Sequence, residues 1–70
     1  MVEDEMMKQL REKRGLSQRD LAELSGVPLK TIQAYEQGAR DIMKMQINIA
    51  YRLAKVLGVS MNDLLHEFMD

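Results

Sequence analysis

Four glycines divide this chain into helix-length segments, and they constrain its fold more than any other feature. They stand at positions 15, 26, 38 and 58, each after a run of helix-forming residues. Glycine readily ends a helix, because it adopts the left-handed C-cap conformation without steric cost. Apolar residues between these points recur every three or four positions, and no segment alternates with the period of two of a half-buried strand. The pattern predicts an all-α protein.

The expected helix starts agree with these stops. Ser17 is followed three residues later by Asp20, and Ser60 by Asp63, so each pair resembles a capping box. Pro28 suits the opening of a third helix, because its φ angle is fixed and it has no N–H to leave unsatisfied. We therefore expect a compact bundle of five short helices, near residues 3–14, 17–25, 28–37, 43–57 and 60–68.

Length and composition favour a single domain over residues 1–70. A chain of 70 residues is too short to form two cores, and 46% hydrophobic with 30% charged residues is typical of a folded protein. The absence of cysteine excludes disulfides and fits a reducing compartment. No uncharged run approaches the roughly 20 apolar residues of a membrane span, and the N-terminus lacks a secretory-signal pattern. We expect a cytoplasmic protein that is not inserted in a membrane.

Charge is distributed unevenly along the chain. The formal net charge is −1, yet residues 8–30 contain six basic and three acidic side chains, whereas residues 60–70 contain three acids and neither Lys nor Arg. Because Lys and Arg supply most of the affinity for nucleic-acid phosphates, the basic front half is the candidate binding region.

Two of the predicted helices are separated only by Gly26 and Val27. So tight a turn forces the helices to cross steeply and leaves the second one protruding, which is the geometry that the major groove of DNA, about 12 Å wide, admits. Ile32 and Tyr35 share the inward face of this helix. Its outward face then carries Leu29, Lys30, Gln33, Ala34 and Gln37.

These outward side chains have the chemistry of base recognition. Lys30 can donate to guanine O6 or N7, Gln33 can pair with adenine N6 and N7, and Leu29 or Ala34 can contact a thymine methyl group. We expect double-stranded DNA to be the partner, with contacts to phosphates from a second group of residues, which by charge includes three arginines. These phosphate candidates are Arg19, Arg14, Arg40 and Gln37.

Three stretches closely resemble the phage-repressor (Cro/cI, or XRE) helix-turn-helix family. They are LREKRGLSQRDLAELSGV at residues 10–27, TIQAYEQG at 31–38 and LAKVLGVS at 53–60, and the resemblance extends over residues 7–65. It implies a lambda-repressor-like fold in which helices 2 and 3 form the helix-turn-helix. The function that it implies is sequence-specific DNA binding by a repressor-like transcriptional regulator, with the helix at 28–37 reading the operator.

The resemblance also implies roles for single residues. Gln18 matches the position that opens the first motif helix and touches a phosphate, and Arg11 and Glu36 match a pair that commonly forms a salt bridge. Ala22 matches the small residue that lets the motif helices approach closely. Pro28 departs from the family pattern, because relatives usually have a Ser or Thr there that caps the helix. The operator-selecting positions are Leu29, Lys30, Gln33 and Ala34.

The fourth predicted helix has an unusually broad apolar face. One stripe consists of Met43, Ile47, Ala50, Ala54 and Leu57, and a neighbouring one of Met45, Ile49, Leu53 and Val56. A central helix surrounded by the others explains this pattern, and so does a self-association surface. The second possibility supports an alternative function, a protein-interaction module or antitoxin-type subunit that docks a partner through helix 4. One recognition helix covers only a few base pairs, so for DNA binding we expect a homodimer.

Catalysis and metal binding find little support. His66 is the only histidine, and the spacing fixes no serine or carboxylate beside it as a catalytic partner. His66, Glu67 and Asp70 have side chains that can ligate metal, but a group of this kind at a chain end is more typical of a solvated face. We expect no enzyme activity, no catalytic residues, no metal and no cofactor.

Overall fold

A computed structural model of the chain describes residues 5–41 and 44–64. Within these ranges it contains helices and turns and no strand. The helices are α1 (Glu5–Lys13), α2 (Gln18–Ser25), α3 (Leu29–Glu36) and α4 (Ile47–Leu57), followed by one helical turn, α5 (Met61–Leu64). The predicted all-α class is confirmed.

The predicted count of five helices is wrong for the described residues, which contain four helices of two turns or more. The fifth was expected over residues 60–68, and the structure describes it only as the turn α5, because the rest of that range lies outside the described residues. The start of this turn is capped as the spacing predicts, with Asp63 N donating to Ser60 Oγ over 3.0 Å and Ser60 N donating to the Asp63 carboxylate.

The fourth helix was predicted to begin near residue 43, and that boundary is wrong. Gln46 has an extended conformation, with φ −63° and ψ 146°, and the helix begins at Ile47. Met45 precedes the helix and is nevertheless buried. Met45 fits the helical spacing of apolar residues, although its side chain enters the core from the segment before the helix. Met43 lies outside the described residues.

Every helix contributes to one hydrophobic core. Leu21 of α2, Ile32 of α3 and Leu53 of α4 are fully buried, and each such side chain stabilises the fold by about 1.5–3 kcal/mol. Met7 of α1 and Leu64 of α5 complete the same cluster. Within the described residues, no helix has the length and apolar character that crossing a membrane requires.

The apolar face of α4 divides between core and surface. Its buried stripe consists of Ala50, Leu53, Ala54 and Leu57, and α4 packs against α2 and α5. Ile49 and Val56 lie half-buried at the edge of the core. Ile47 is 76% exposed and Tyr51 56% exposed, so one side of the broad face has no cover among the described residues.

The C-terminus of α4 is closed by an arginine from the end of α1. Gly58 takes the left-handed C-cap conformation with φ 74°. Arg14 Nε donates to the Leu57 carbonyl oxygen over 3.0 Å. A Cβ placed on Gly58 would collide with the Arg14 guanidinium, whereas a Cβ on Gly15, also at positive φ, would meet nothing within 4 Å.

We predict that Gly58→Ala destabilises the protein more than Gly15→Ala. Both substitutions force an L-residue into the left-handed region, which costs about 1–2 kcal/mol. Gly58→Ala should cost about 1 kcal/mol more, because Arg14 has to give up its hydrogen bond to Leu57. Urea unfolding followed by circular dichroism measures both. In an Arg14→Ala background the two costs should become equal, and equal costs in the unaltered protein would contradict this interpretation.

Candidate nucleic-acid interface

Helix α3 presents two different faces. Ile32 is fully buried and Tyr35 is 4% exposed, so these side chains attach the helix to the core. Lys30 is exposed on the opposite face, and Gln33 is half-buried there. The protein's own helices therefore leave the polar side of α3 accessible. Among the other predicted side chains of that side, Gln37 is exposed, and Leu29 and Ala34 are half-buried.

The turn between α2 and α3 is held by a serine that the sequence analysis overlooked. Ser25 Oγ donates to the Leu21 carbonyl oxygen over 2.6 Å and accepts from Val27 N over 3.1 Å. Gly26 adopts φ 77°, and Val27 is 2% exposed. Because the serine satisfies backbone groups on both sides of the bend, it defines the path into α3. A serine immediately before the glycine was the available signal.

A buried ion pair ties α1 to the end of α3. Arg11 Nε lies 2.8 Å from Glu36 Oε2, and Arg11 Nη2 donates to Glu36 Oε1 over 3.0 Å. Arg11 Nη1 donates to the Leu16 carbonyl oxygen over 2.8 Å, so all three nitrogens of the guanidinium are engaged. The hydrogen bonds that Arg11 donates to the Glu36 carboxylate raise the pKa of Arg11 above its ordinary value. The structure thus brings together the two residues named as a structural pair.

Gln18 joins the same carboxylate from the first turn of α2. Its Nε2 donates to Glu36 Oε1 over 3.0 Å. The start of α2 is fixed by Ser17 and Asp20, with Asp20 N donating to Ser17 Oγ over 2.9 Å and Ser17 N donating to the Asp20 carboxylate over 3.0 Å. The bond from Ser17 N lowers the pKa of Asp20, because it favours the charged carboxylate. The capping box therefore places Gln18 against the end of α3.

The three arginines predicted to contact phosphate lie in different surroundings. Arg19 is exposed on the first turn of α2. Arg40 is exposed beyond α3, with its guanidinium carbon 6.0 Å from the centre of the Tyr35 ring. Arg14 is bound at the C-terminus of α4 through the Leu57 carbonyl, so the structure gives it a structural contact that the sequence did not indicate.

No group of three or more metal-ligating side chains occurs within residues 5–41 and 44–64. The weakly supported group of His66, Glu67 and Asp70 lies outside the described residues.

Known proteins resemble this chain over the same helices. A family model described as "Helix-turn-helix" matches residues 7–64, which include α1 to α5 apart from the first two residues of α1. A protein of Pyrococcus furiosus named "Putative HTH-type transcriptional regulatory protein" is 38% identical over 55 residues, or 79% of this chain. The chain spans only 16% of the length of that relative. No solved structure matches the chain.

We predict that Arg11→Met lowers the free energy of unfolding by about 3–5 kcal/mol, because it leaves the Glu36 carboxylate buried without its partner. Arg52→Met, which alters an exposed arginine of α4, serves as the matched control and should have an effect close to zero. The double variant Arg11→Met/Glu36→Leu should recover much of the loss, because no charge is then left uncompensated. Thermal or urea unfolding distinguishes these variants. Equal stability of Arg11→Met and Arg52→Met would refute the role assigned to the pair.

Proposed function

Because the chain belongs to the XRE-type helix-turn-helix family, a family of DNA-binding domains, we propose that it is a sequence-specific transcriptional regulator that reads operator DNA with α3. The observation that carries the proposal is the accessible polar face of a helix whose opposite face is locked into the core. Lys30 is exposed on this face, while Ile32 and Tyr35 hold the helix in place. A rigid helix of this kind enters the major groove without rearranging the fold.

The proposed base contacts and phosphate contacts follow from the chemistry of each side chain. Base edges are read by Leu29, Lys30, Gln33 and Ala34, and phosphates are bound by Gln18, Arg19, Gln37 and Arg40. Arg14 is a further phosphate contact in this proposal, because its Nε donates to the Leu57 carbonyl but its guanidinium is exposed and keeps its charge. The domain acts as a repressor by occupying its operator. It works in the cytoplasm, where that DNA is accessible.

A homodimer is part of this proposal. One helix of eight residues reads only a few base pairs, whereas two copies related by a two-fold axis read both halves of a pseudo-palindrome. Regulation of transcription is also what the name of the Pyrococcus furiosus relative states for that longer protein.

We expect Lys30→Ala to relax the base preference at one operator position and to weaken binding to the preferred sequence by about 1–3 kcal/mol. Selection of bound sequences from random DNA, run with both proteins, measures the preference. Arg19→Gln is the control, because the loss of a phosphate contact should weaken binding to all sequences alike. Footprinting should show two half-sites about 10 base pairs apart. If Lys30→Ala weakens binding equally on every sequence, α3 does not read bases through Lys30.

A second candidate function, docking of a protein partner as in an antitoxin-type subunit, has one specific observation in its favour. Ile47 and Tyr51, one turn apart on α4, are both more than half exposed, and a paired apolar surface of this kind is often an interaction site. DNA binding and partner docking use different faces, so they are compatible.

Ile47→Lys tests how this surface is used. If it binds a second copy, the variant should sediment as a monomer while the unaltered protein sediments as a dimer. If it binds a different protein, the dimer should persist and co-purification of that protein should be lost. A dimer that is insensitive to Ile47→Lys and co-purifies with nothing would count against the second candidate. Asn48→Lys, at the neighbouring exposed position, is the control for the added charge.

A further inference from the structure

Two clefts flank the exposed side of α4. The α2/α4 cleft has a volume of about 330 Å³, and Leu24 of α2 and Arg52 of α4 are among the residues that line it. The α4/α5 cleft has a volume of about 390 Å³ and reaches Met61 at the start of α5. Tyr51 and Lys55 line both clefts, so these two side chains form a ridge between them.

The exposed apolar surface of the described residues is concentrated here. Leu24 is 64% exposed and Tyr51 is 56% exposed, and both line the α2/α4 cleft. Ile47, which is 76% exposed, lies one turn before Tyr51 on the same helix. These three are the exposed large hydrophobic residues within residues 5–41 and 44–64. An apolar patch gathered on one side of a small domain is typical of an interaction surface.

Two cations border the same patch, and the described residues provide no acid to neutralise them. Arg52 and Lys55 are both exposed, no acidic side chain lines either cleft, and neither cation forms an ion pair in the described structure. Arg52 Nη1 lies 3.9 Å from the point that a Cβ on Gly26 would occupy, so its guanidinium reaches the end of α2. Lys55 Nζ lies 6.0 Å from the centre of the Tyr51 ring. The patch therefore has an uncompensated positive charge.

A second copy of this chain does not match the charge of the patch. A two-fold dimer contributes the same surface twice. Two copies of Arg52 and two of Lys55 would then share one interface without an acid in either lining. Juxtaposed like charges oppose association, whereas complementary charges favour it. The surface consequently favours a different protein, whose contacting segment has Asp or Glu among its apolar residues.

We propose that the two clefts bind an acidic amphipathic segment of a partner protein. Apolar side chains of the segment fill the clefts, one carboxylate pairs with Lys55 on the ridge, and another pairs with Arg52. The inference rests on the second candidate function, docking through α4, and it specifies the chemistry of the partner. No residue of α3 lines either cleft, so the segment and a DNA duplex should bind at the same time.

The first test is a selection from a random peptide library displayed on phage, with the unaltered protein as the target. The enriched peptides should contain Asp or Glu beside apolar residues. With Arg52→Glu/Lys55→Glu as the target, the acidic residues should be replaced by Lys and Arg. The control Lys8→Glu/Lys13→Glu reverses two exposed cations of α1 that line neither cleft, and it should select the same peptides as the unaltered protein.

The second test measures the affinity of one enriched peptide by fluorescence anisotropy. Lys55→Gln and Arg52→Gln should each weaken binding about two- to fivefold, the range expected for one exposed charge pair. Leu24→Ser should weaken binding as well, because the peptide loses an apolar contact. Replacement of the peptide's acids by amides should weaken binding to the unaltered protein but hardly change binding to Arg52→Gln/Lys55→Gln. Circular dichroism confirms that each variant is folded.

The outcomes that overturn the proposal are distinct. If no peptide is enriched, the surface docks no such segment. If peptides bind without a preference for acids, the charge matching is wrong while docking through α4 stands. If Leu24→Ser converts a dimer into a monomer in sedimentation, the occupant is a second copy. If Arg52→Gln/Lys55→Gln reduces the salt dependence of duplex binding, the two cations contact DNA phosphates instead. Failure of the unaltered protein to bind any duplex rejects DNA recognition by α3 and leaves this proposal in place.

Discussion

Glu36 is the last residue of α3, and its carboxylate accepts hydrogen bonds from Arg11 on α1 and from Gln18 on α2. Three helices thus share one buried anion. A buried ion pair contributes little net free energy, because desolvation offsets much of the Coulomb attraction, but any arrangement that separates the partners leaves a charge buried alone. The interaction consequently selects one relative placement of these helices. The orientation of the polar face of α3 depends on that placement.

The weak negative net charge of the chain is compatible with this interface because charge acts locally at such a surface. Among the arginines of the basic front half, Arg11 is neutralised by Glu36, whereas Arg14 donates to the uncharged Leu57 carbonyl and keeps its positive charge. The cations left to attract DNA are therefore fewer than the basic front half of the sequence indicates. In the proposed interface, phosphates are bound by the exposed Arg14, Arg19 and Arg40 and by the amides of Gln18 and Gln37.

Features that depend on neighbouring residues could be predicted well. The capping boxes at Ser17 and Ser60 and the helix stops at Gly26 and Gly58 are where the spacing places them, because each involves groups within a few residues of one another. The start of α4 could not be predicted in this way. Met45 is buried ahead of the helix, and apolar periodicity does not distinguish a core residue in a helix from one in the turn before it. The link between Arg11 and Glu36, 25 residues apart, was available only through the family resemblance.

By itself, the sequence determined that the described residues are all-α, where most helices end, and that Lys30 lies outward on α3 while Ile32 lies inward, because periodicity and capping are short-range properties. Only the tertiary structure decided that Arg14 closes α4 and that Lys8 shares a cleft with Gln18 and Gln37. It also showed that Ile47 and Tyr51 stay on the surface. Each of these features depends on which helices pack together and on how they are aligned along their axes. The residues involved lie up to 43 positions apart, and local spacing contains no information about that packing.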